Sequence, residues 1–318
     1  MDIIYNKVFL NHDTGMHPEN KKRLECFENI EETPIEPDID LVRLVHTKDY
    51  IDIVKEASGR HAPLDPDTQT SAGSYDAAVH AVKATVIASE RNGFALVRPP
   101  GHHAYPDHSS GFCIFNNVAI ATKKLVDEGK RVLIFDFDGH LGDGTVNIFY
   151  DSDQVFYWSL HQFPAFPGGG DFNEIGRGKG KGFTLNIPLP AGSADDIFLG
   201  AVKRFIPVVK QFEPDVVAIS AGFDAYMYDL LLNLRLSQQA YYTLGKLFAD
   251  NFENLFATFE GGYNVAMLPN CVWNFLDGIN GNEIRFADPS TETDVKIFQE
   301  YQAIEGGIES QMKPYWRI

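Results

Sequence analysis

Short apolar runs, rich in β-branched and aromatic residues, alternate along the chain with longer amphipathic stretches. Such runs are typical of strands buried in a parallel sheet, whereas apolar positions three and four residues apart indicate helices. The predicted strands are Asp2–Tyr5, Gly93–Val97, Arg131–Asp138, Val155–Leu160, Asp215–Ser220 and Leu255–Glu260. The predicted helices are Ser74–Asn92, Asn117–Gly129, Ala194–Phe212 (capped by Ser193), Ser237–Phe252 and, on the rim, one within Asp288–Ile318. This alternation predicts a single α/β domain over residues 1–318 with a mostly parallel sheet.

Three long segments rich in Gly, Pro, His and Asp interrupt the alternation: Ser58–Gly73, Pro99–Phe115 and Gln162–Gly182. Long irregular loops inside a compact domain usually carry function. Ligands of parallel sheets bind at the carboxyl ends of the strands. We therefore expect a functional site where these loops meet the strand ends.

The composition is that of a globular protein, with 44% hydrophobic and 22% charged residues. The 27 Lys and Arg against 44 Asp and Glu give a net charge of −17, which argues against nucleic acid and anionic membranes as partners. Cys26, Cys113 and Cys271 are too few and too widely spaced for a disulfide framework or a cysteine metal site, and they fit a cytoplasmic protein. We expect neither a transmembrane helix nor a signal peptide, because no apolar run is long enough.

The densest group of polar residues directly follows a predicted strand and contains Asp136, Asp138, His140 and Asp143. Asp138 and His140 are two positions apart, so in an extended segment their side chains point the same way. A carboxylate and an imidazole placed like this can chelate zinc or a similar divalent ion. Asp224, after another buried strand, is a candidate third ligand. The alternative is a solvated Asp-Gly turn, which the preceding strand and the histidine disfavour.

Two further motifs offer groups for acid–base and oxyanion chemistry. His102 and His103 follow the strand Gly93–Val97, and a carboxylate behind each ring would fix its tautomer. Tyr263 follows the paired glycines after Glu260, where its hydroxyl could donate to an oxyanion. Taken alone, the histidine pair could be a surface feature, and the tyrosine could simply be packed.

In this order along the chain, the motifs resemble those of the histone deacetylase superfamily, which also contains acetylpolyamine amidohydrolases. The likeness is carried by His17-Pro-Glu, Val45-His46-Thr, Asp65-Pro-Asp67-Thr68, Arg98-Pro-Pro-Gly-His-His, Asp136-Phe-Asp138-Gly-His140, Ser220-Ala-Gly-Phe-Asp224 and Glu260-Gly-Gly-Tyr263. The Arg98 and Ser220 motifs look like those of the class II and bacterial branch. The resemblance implies one arginase-like α/β domain with a sheet of about eight strands.

The resemblance also implies roles for single residues. The metal ligands would be Asp138, His140 and Asp224, holding Zn²⁺ or alternatively Fe²⁺. The catalytic set would be His102 backed by Asp136, His103 backed by Asp143, and Tyr263. The substrate-binding set would be Asp67, Gly111, Phe112, Phe166 and Leu231. A structural K⁺ is implied beside Asp136 and Asp138, near His140, Ser159 and Leu160.

Three departures from the family pattern bear on rate and on substrate fit. Leu141 stands where relatives usually have a second histidine, and Tyr226 stands where many have histidine. The loop 229–234 replaces the usual Asp-Pro-Leu-Gly turn. Leu231 occupies the position at which polyamine-specific relatives carry a glutamate.

We therefore expect an amidohydrolase that deacylates an acyl-lysine in a peptide or protein. An enzyme for acetylpolyamines or another small acylamide is the first alternative. A protein that binds acyl-lysine without turnover is the second.

Overall fold

A computed structural model describes residues 1–318 and shows a seven-stranded sheet in which every neighbouring pair of strands is parallel. The strands are β1 (Ile3–Ile4), β2 (Phe94–Ala95), β3 (Val132–Asp136), β4 (Val155–Gln162), β5 (Thr184–Leu189), β6 (Val216–Ala221) and β7 (Leu255–Phe259). Their order across the sheet is β1-β2-β7-β6-β3-β4-β5. The sheet thus has seven strands rather than about eight. Edge strand β5 was not predicted from the sequence, because Asn186 and Pro188 interrupt its apolar run.

Ten α-helices surround this sheet. They are α1 (Lys22–Glu25), α2 (Ile39–Val42), α3 (Lys48–Arg60), α4 (Ser74–Arg91), α5 (Asn117–Asp127), α6 (Asp143–Phe149), α7 (Asp195–Lys210), α8 (Gln238–Asn251), α9 (Leu268–Asn280) and α10 (Val295–Met312). Short 3-10 helices cover Lys7–Asn11 and Gly178–Gly180. None of these helices combines the length and the apolar character needed to cross a membrane.

The predicted helices α4, α5, α7 and α8 form within two residues of their expected ends, but one predicted cap is wrong. Ser237 caps α8 by accepting the Ala240 N–H at 3.1 Å. Ser193 does not cap α7, because its hydroxyl donates to the carbonyl of Pro190 at 2.7 Å. A preceding turn has captured the side chain that the sequence pattern assigned to the helix.

Helices cover both faces of the sheet. On one face Phe135 of β3 stacks on Phe248 of α8, with ring centroids 4.2 Å apart, and Phe94 of β2 meets Phe275 of α9. On the other face the hydroxyls of Thr258 in β7 and Thr85 in α4 lie 3.1 Å apart. This burial on both sides explains why the strands appear in the sequence as continuous apolar runs.

Because all strands run in one direction, their carboxyl ends meet at a single edge. The segments that follow β2, β3, β6 and β7 begin there with the motifs Arg98–His103, Phe137–Asp143, Gly222–Asp224 and Glu260–Tyr263. The fold therefore gathers residues that lie up to 165 positions apart in the chain.

Candidate active site

A cavity of about 280 Å³ opens at this edge of the sheet. It is lined by Asp67, His103, Gly111, Phe112, His140, Phe166, Leu231 and Tyr263. All eight residues are among the site residues predicted above. The long loops after α3, β2 and β4 supply the walls, and the strand ends supply the floor.

Three potential metal ligands lie together at the floor. One ligand atom from each of Asp138, His140 and Asp224 falls within 4.8 Å of the other two. His140 Nδ1 lies 2.8 Å from Asp224 Oδ2 and 3.2 Å from Asp138 Oδ1. All three side chains are buried. Two carboxylates and one imidazole form a donor set that suits a divalent ion and leaves further positions open.

The charges on this floor favour a bound cation. Burial and the neighbouring Asp138 raise the pKa of Asp224 to about 7. No Lys or Arg pairs with either carboxylate. His140 pairs with both of them, and His102 lies 3.8 Å from Asp138. Two buried carboxylates this close repel each other unless a cation lies between them. The residues therefore fit a divalent metal.

Backbone amides hold the two carboxylates in place. Gly261 N–H donates to Asp138 Oδ2 at 2.7 Å, and Gly139 N–H donates to Asp224 Oδ1 at 2.7 Å. A Cβ at position 261 would lie 2.5 Å from Asp138 Oδ2 and 2.6 Å from Asp224 Oδ2. Only glycine lets the β7 loop approach the ligands so closely.

Two histidine–carboxylate pairs stand next to these ligands. His102 Nδ1 lies 3.1 Å from Asp136 Oδ2, and His103 Nδ1 lies 2.7 Å from Asp143 Oδ1. The pairing is the one expected from the sequence. The ring centroids of the two histidines are 4.0 Å apart, and only His103 lines the cavity.

The two histidines differ in their preferred protonation state. Burial and the adjacent His102 lower the pKa of His103 to about 4, so its ring is neutral near pH 7. Burial alone would also lower the pKa of His102, but Asp136 and Asp138 outweigh it and raise that pKa well above the usual range. The arrangement supplies one neutral base beside one imidazolium.

Tyr263 presents its ring to the cavity and is only 6% exposed. Its ring packs edge-on against Phe112, with centroids 5.8 Å apart, and the guanidinium of Arg23 lies 4.9 Å from its centre on another side. Asp229 Oδ2 accepts the backbone N–H groups of Tyr263 and Asn264 at 2.6 and 3.0 Å. The tyrosine is therefore held by contacts from three directions.

A buried ion network lies behind the tyrosine loop. Arg23 donates to the carbonyl of Gly262 at 2.7 Å and also to that of Glu260. Glu19 pairs with Arg23 at 3.1 Å and with Arg98 Nη2 at 2.8 Å. These side chains are at most 1% exposed. The N-terminal segment thereby fixes the loop that carries Tyr263.

The walls of the cavity are mostly apolar. Phe112 has a φ of 70°, a left-handed conformation, directly after Gly111 with a φ of 52°. A Cβ at position 111 would lie 2.5 Å from the His103 ring and 2.9 Å from that of Phe166. This glycine thus gives the two aromatic walls room beside the histidine. Asp67 is exposed at the rim and adds the one carboxylate that lines the cavity outside its floor.

Of the positions that depart from the family pattern, some are buried away from the cavity and one lines it. Leu141 is buried against Gly169 and Gly170 and does not line the cavity. Tyr226 is also buried, its hydroxyl accepts from Gln238 Nε2 at 3.3 Å, and it does not line the cavity. Of these positions, Leu231 in the 229–234 loop is the one that lines the cavity.

Several supporting residues were not assigned any role from the sequence. Tyr105 donates to Asp143 Oδ2, the oxygen that does not face His103, and Tyr157 donates to Asp136 Oδ2, the oxygen that also faces His102, each at 3.0 Å. Glu260 accepts the N–H groups of Gly101 and His102 at 2.7 and 3.2 Å. Only the position of Glu260 directly before the Gly-Gly-Tyr motif could have indicated a role from the sequence, because its contacts join residues about 160 positions apart.

Comparison with known proteins agrees with this geometry. Residues 17–279 match the family model described as histone deacetylase domain. A probable deacetylase of Archaeoglobus fulgidus is 36% identical over 291 residues, covering 83% of this chain and 81% of that protein. A histone deacetylase-like amidohydrolase of Pseudomonas aeruginosa is 33% identical over 298 residues, covering 86% and 78%. The crystal structure of the HDA15 HD domain superposes with a TM-score of 0.89 at 27% identity, covering 99% of this chain and 94% of that one.

Proposed function

The chain belongs to the histone deacetylase family, and from this membership we propose that it is a zinc-dependent deacylase acting on acylated lysine side chains in peptides or proteins. The observation that carries the proposal is the cavity itself. Its apolar walls, Phe112, Phe166 and Leu231, lead down to a neutral histidine, a tyrosine and a buried metal-ligand group.

Asp138, His140 and Asp224 would hold the ion, with Fe²⁺ as the alternative to Zn²⁺. An ion bound there would lower the pKa of a water molecule and polarise the acyl carbonyl. A structural K⁺ beside Asp136 stays a prediction.

His103 is the proposed general base and acid. Its Nδ1 faces Asp143, so Nε2 is the nitrogen left for a water molecule in the cavity. Nε2 takes the proton as the water oxygen bonds to the acyl carbon. The same nitrogen then gives that proton to the lysine nitrogen as the C–N bond breaks, which releases a carboxylic acid and an amine. His102 stays protonated beside Asp136 and acts as an electrostatic and orienting partner of His103.

Tyr263 is the proposed donor to the oxyanion that forms when water adds to the amide. A single donor of this kind is worth about 3–4 kcal/mol in comparable sites. The packing of Tyr263 against Phe112 and Arg23 fixes the ring before the reaction, so little reorganisation is needed.

An acylated lysine suits the walls better than a polyamine does. Its stem is a neutral aliphatic chain, which Phe112 and Phe166 can enclose without desolvating a charge. Leu231 places a methyl group where a carboxylate would be needed for a second ammonium. After hydrolysis the free lysine is charged, and the apolar walls favour its release.

A substrate panel on the Zn²⁺-loaded protein tests the proposal. We expect acetyl-lysine peptides to be hydrolysed with a higher kcat/KM than acetylputrescine or acetylspermidine. A preference of more than about tenfold for the polyamines, or about 1.4 kcal/mol, would reverse the choice of substrate. Binding of acetyl-lysine peptides without turnover, with Zn²⁺, Fe²⁺ or Co²⁺, would instead leave a non-catalytic binding protein.

A further inference from the structure

A second, apolar groove of about 450 Å³ lies beside the acyl-lysine cavity. Its apolar lining comes from Met16, Pro18, Leu230 and Val265, and it shares Tyr263 with the cavity. We call it the side groove. Leu230 lies in the side groove and its chain neighbour Leu231 lies in the cavity, so the two spaces are separated by one short piece of loop.

Exposed apolar residues are concentrated around these two spaces. The chain exposes nine large hydrophobic side chains, and four of them line the cavity or the side groove. Met16 is 100% and Leu230 is 70% exposed. On a protein with a net charge of −17, such a concentration is characteristic of an interaction surface.

The loop between the two spaces is fixed in position. Asp229 Oδ1 accepts the N–H groups of Leu230 and Leu231 at 2.7 and 3.3 Å, while its Oδ2 holds Tyr263 and Asn264. One carboxylate therefore ties both leucines to the tyrosine loop. A surface that is rigid before it binds loses less entropy on binding.

We propose that the side groove binds the side chain of the residue next to the acylated lysine and selects an apolar residue there, a specificity that rests on the proposed deacylase function. A lysine whose stem fills the cavity leaves its backbone at the mouth, and the next Cα is only about 3.8 Å away. The polar residues that line the side groove are His17, Asn20 and Asn264, and the lining contains no Asp, Glu, Lys or Arg, so a charged neighbour finds no carboxylate, ammonium or guanidinium partner there. The substrate is thus an acyl-lysine flanked by an aliphatic or aromatic residue.

The test compares kcat/KM for short peptides that carry Leu or Asn immediately before or after acetyl-lysine. We expect Leu to be preferred over Asn by about tenfold on one of the two sides, equivalent to about 1.4 kcal/mol. In the double variant Met16→Asn, Leu230→Asn this ratio should fall to within about twofold of unity. A loss of folded enzyme lowers both constants equally, so the ratio reports on the side groove alone.

Val295→Asn is the matched control, because Val295 is 71% exposed and lies on α10, outside both spaces. It should leave the tenfold ratio and the activity unchanged. Turnover of the peptides with a ratio below about two in the wild-type protein would overturn the side-groove proposal alone. Failure to hydrolyse any acetyl-lysine compound would overturn the proposed function and this specificity together.

A second copy of the chain is the competing occupant of the same apolar surface. Sedimentation velocity separates the two explanations. A dimer that the double variant Met16→Asn, Leu230→Asn converts to a monomer, with the peptide ratio unchanged, would assign the groove to self-association and overturn the proposal.

Discussion

At the scale of single residues, the site consists of side chains whose surroundings give chemically similar groups different tasks. His102 and His103 are adjacent, yet Asp136 and Asp138 keep the first charged while burial keeps the second neutral. The spacing of Asp138 and His140 shortly after a strand was enough to predict that their side chains lie together, as they do at 3.2 Å. The bonds of Glu260 could not be predicted, since they depend on the packing of separate strands.

Tyr263→Phe removes one hydroxyl and leaves the ring packing intact. We expect kcat to fall by about 10²–10³-fold, the usual effect of losing one oxyanion donor. Metal content, measured by mass spectrometry, should not change. Tyr315→Phe, near the C-terminus, is the control and should keep full activity. An unchanged kcat in Tyr263→Phe would remove the oxyanion role.

Leu231→Glu introduces a carboxylate at the cavity mouth, where Leu231 is 38% exposed. We expect kcat/KM for acetylspermidine to rise about fivefold relative to an acetyl-lysine peptide, because a partly exposed ion pair contributes up to about 1 kcal/mol. Leu231→Gln has nearly the same size without the charge and should not produce this gain. Equal gains in both variants would show that charge at this position does not choose the substrate.

At the scale of elements, the strand ends and loops set the geometry of the site. The buried strands could be predicted because both of their faces are apolar. Edge strand β5 and the cap of α7 could not, since polar residues, Pro188 and a competing turn at Ser193 hide them. The loop after β6 departs from the family pattern in its sequence, but its anchoring by Asp229 appears only in three dimensions.

Asp229→Asn tests that anchoring. The amide keeps one acceptor oxygen and directs an NH₂ group at backbone N–H donors, so about half of the four bonds are lost. We expect kcat/KM to fall by about tenfold to a hundredfold as Tyr263 and Leu231 shift. Asp288→Asn is the control, because Asp288 accepts two N–H groups at the start of α8, away from the site. Equal effects in the two variants would contradict a specific role for the loop.

At the scale of the whole molecule, the N-terminal segment and the sheet are joined by the buried network of Glu19, Arg23 and Arg98. Burial alone would raise the pKa of Glu19, but Arg98 and His12 outweigh it and hold that pKa well below its usual 4.5. A carboxylate with a lowered folded-state pKa stabilises the protein above its unfolded pKa. This contribution is lost as the pH falls through the folded value.

Glu19→Gln should therefore lower the free energy of unfolding by about 3–5 kcal/mol at pH 7, since it leaves two buried arginines without their shared partner. The difference from the wild-type protein should shrink as the pH falls below about 4.5, because the Glu19 carboxylate then takes up a proton in the unfolded wild-type protein while it stays ionised in the folded one. Urea unfolding of both proteins between pH 3.5 and 7 measures this. A difference that stays constant over that range would contradict the assigned ionisation.

The position of β5 at the edge of the sheet has a consequence for solubility. Its outer side would offer unpaired backbone groups to another β5, and exposed edges of this kind promote aggregation. Helix α10 packs against β5, and Trp316 beyond it donates to the carbonyl of Gly182 at 2.6 Å, just before the strand. The final segment lies outside residues 17–279, which match the deacetylase family. We therefore expect this segment to shield the edge of the sheet from pairing with a second β5.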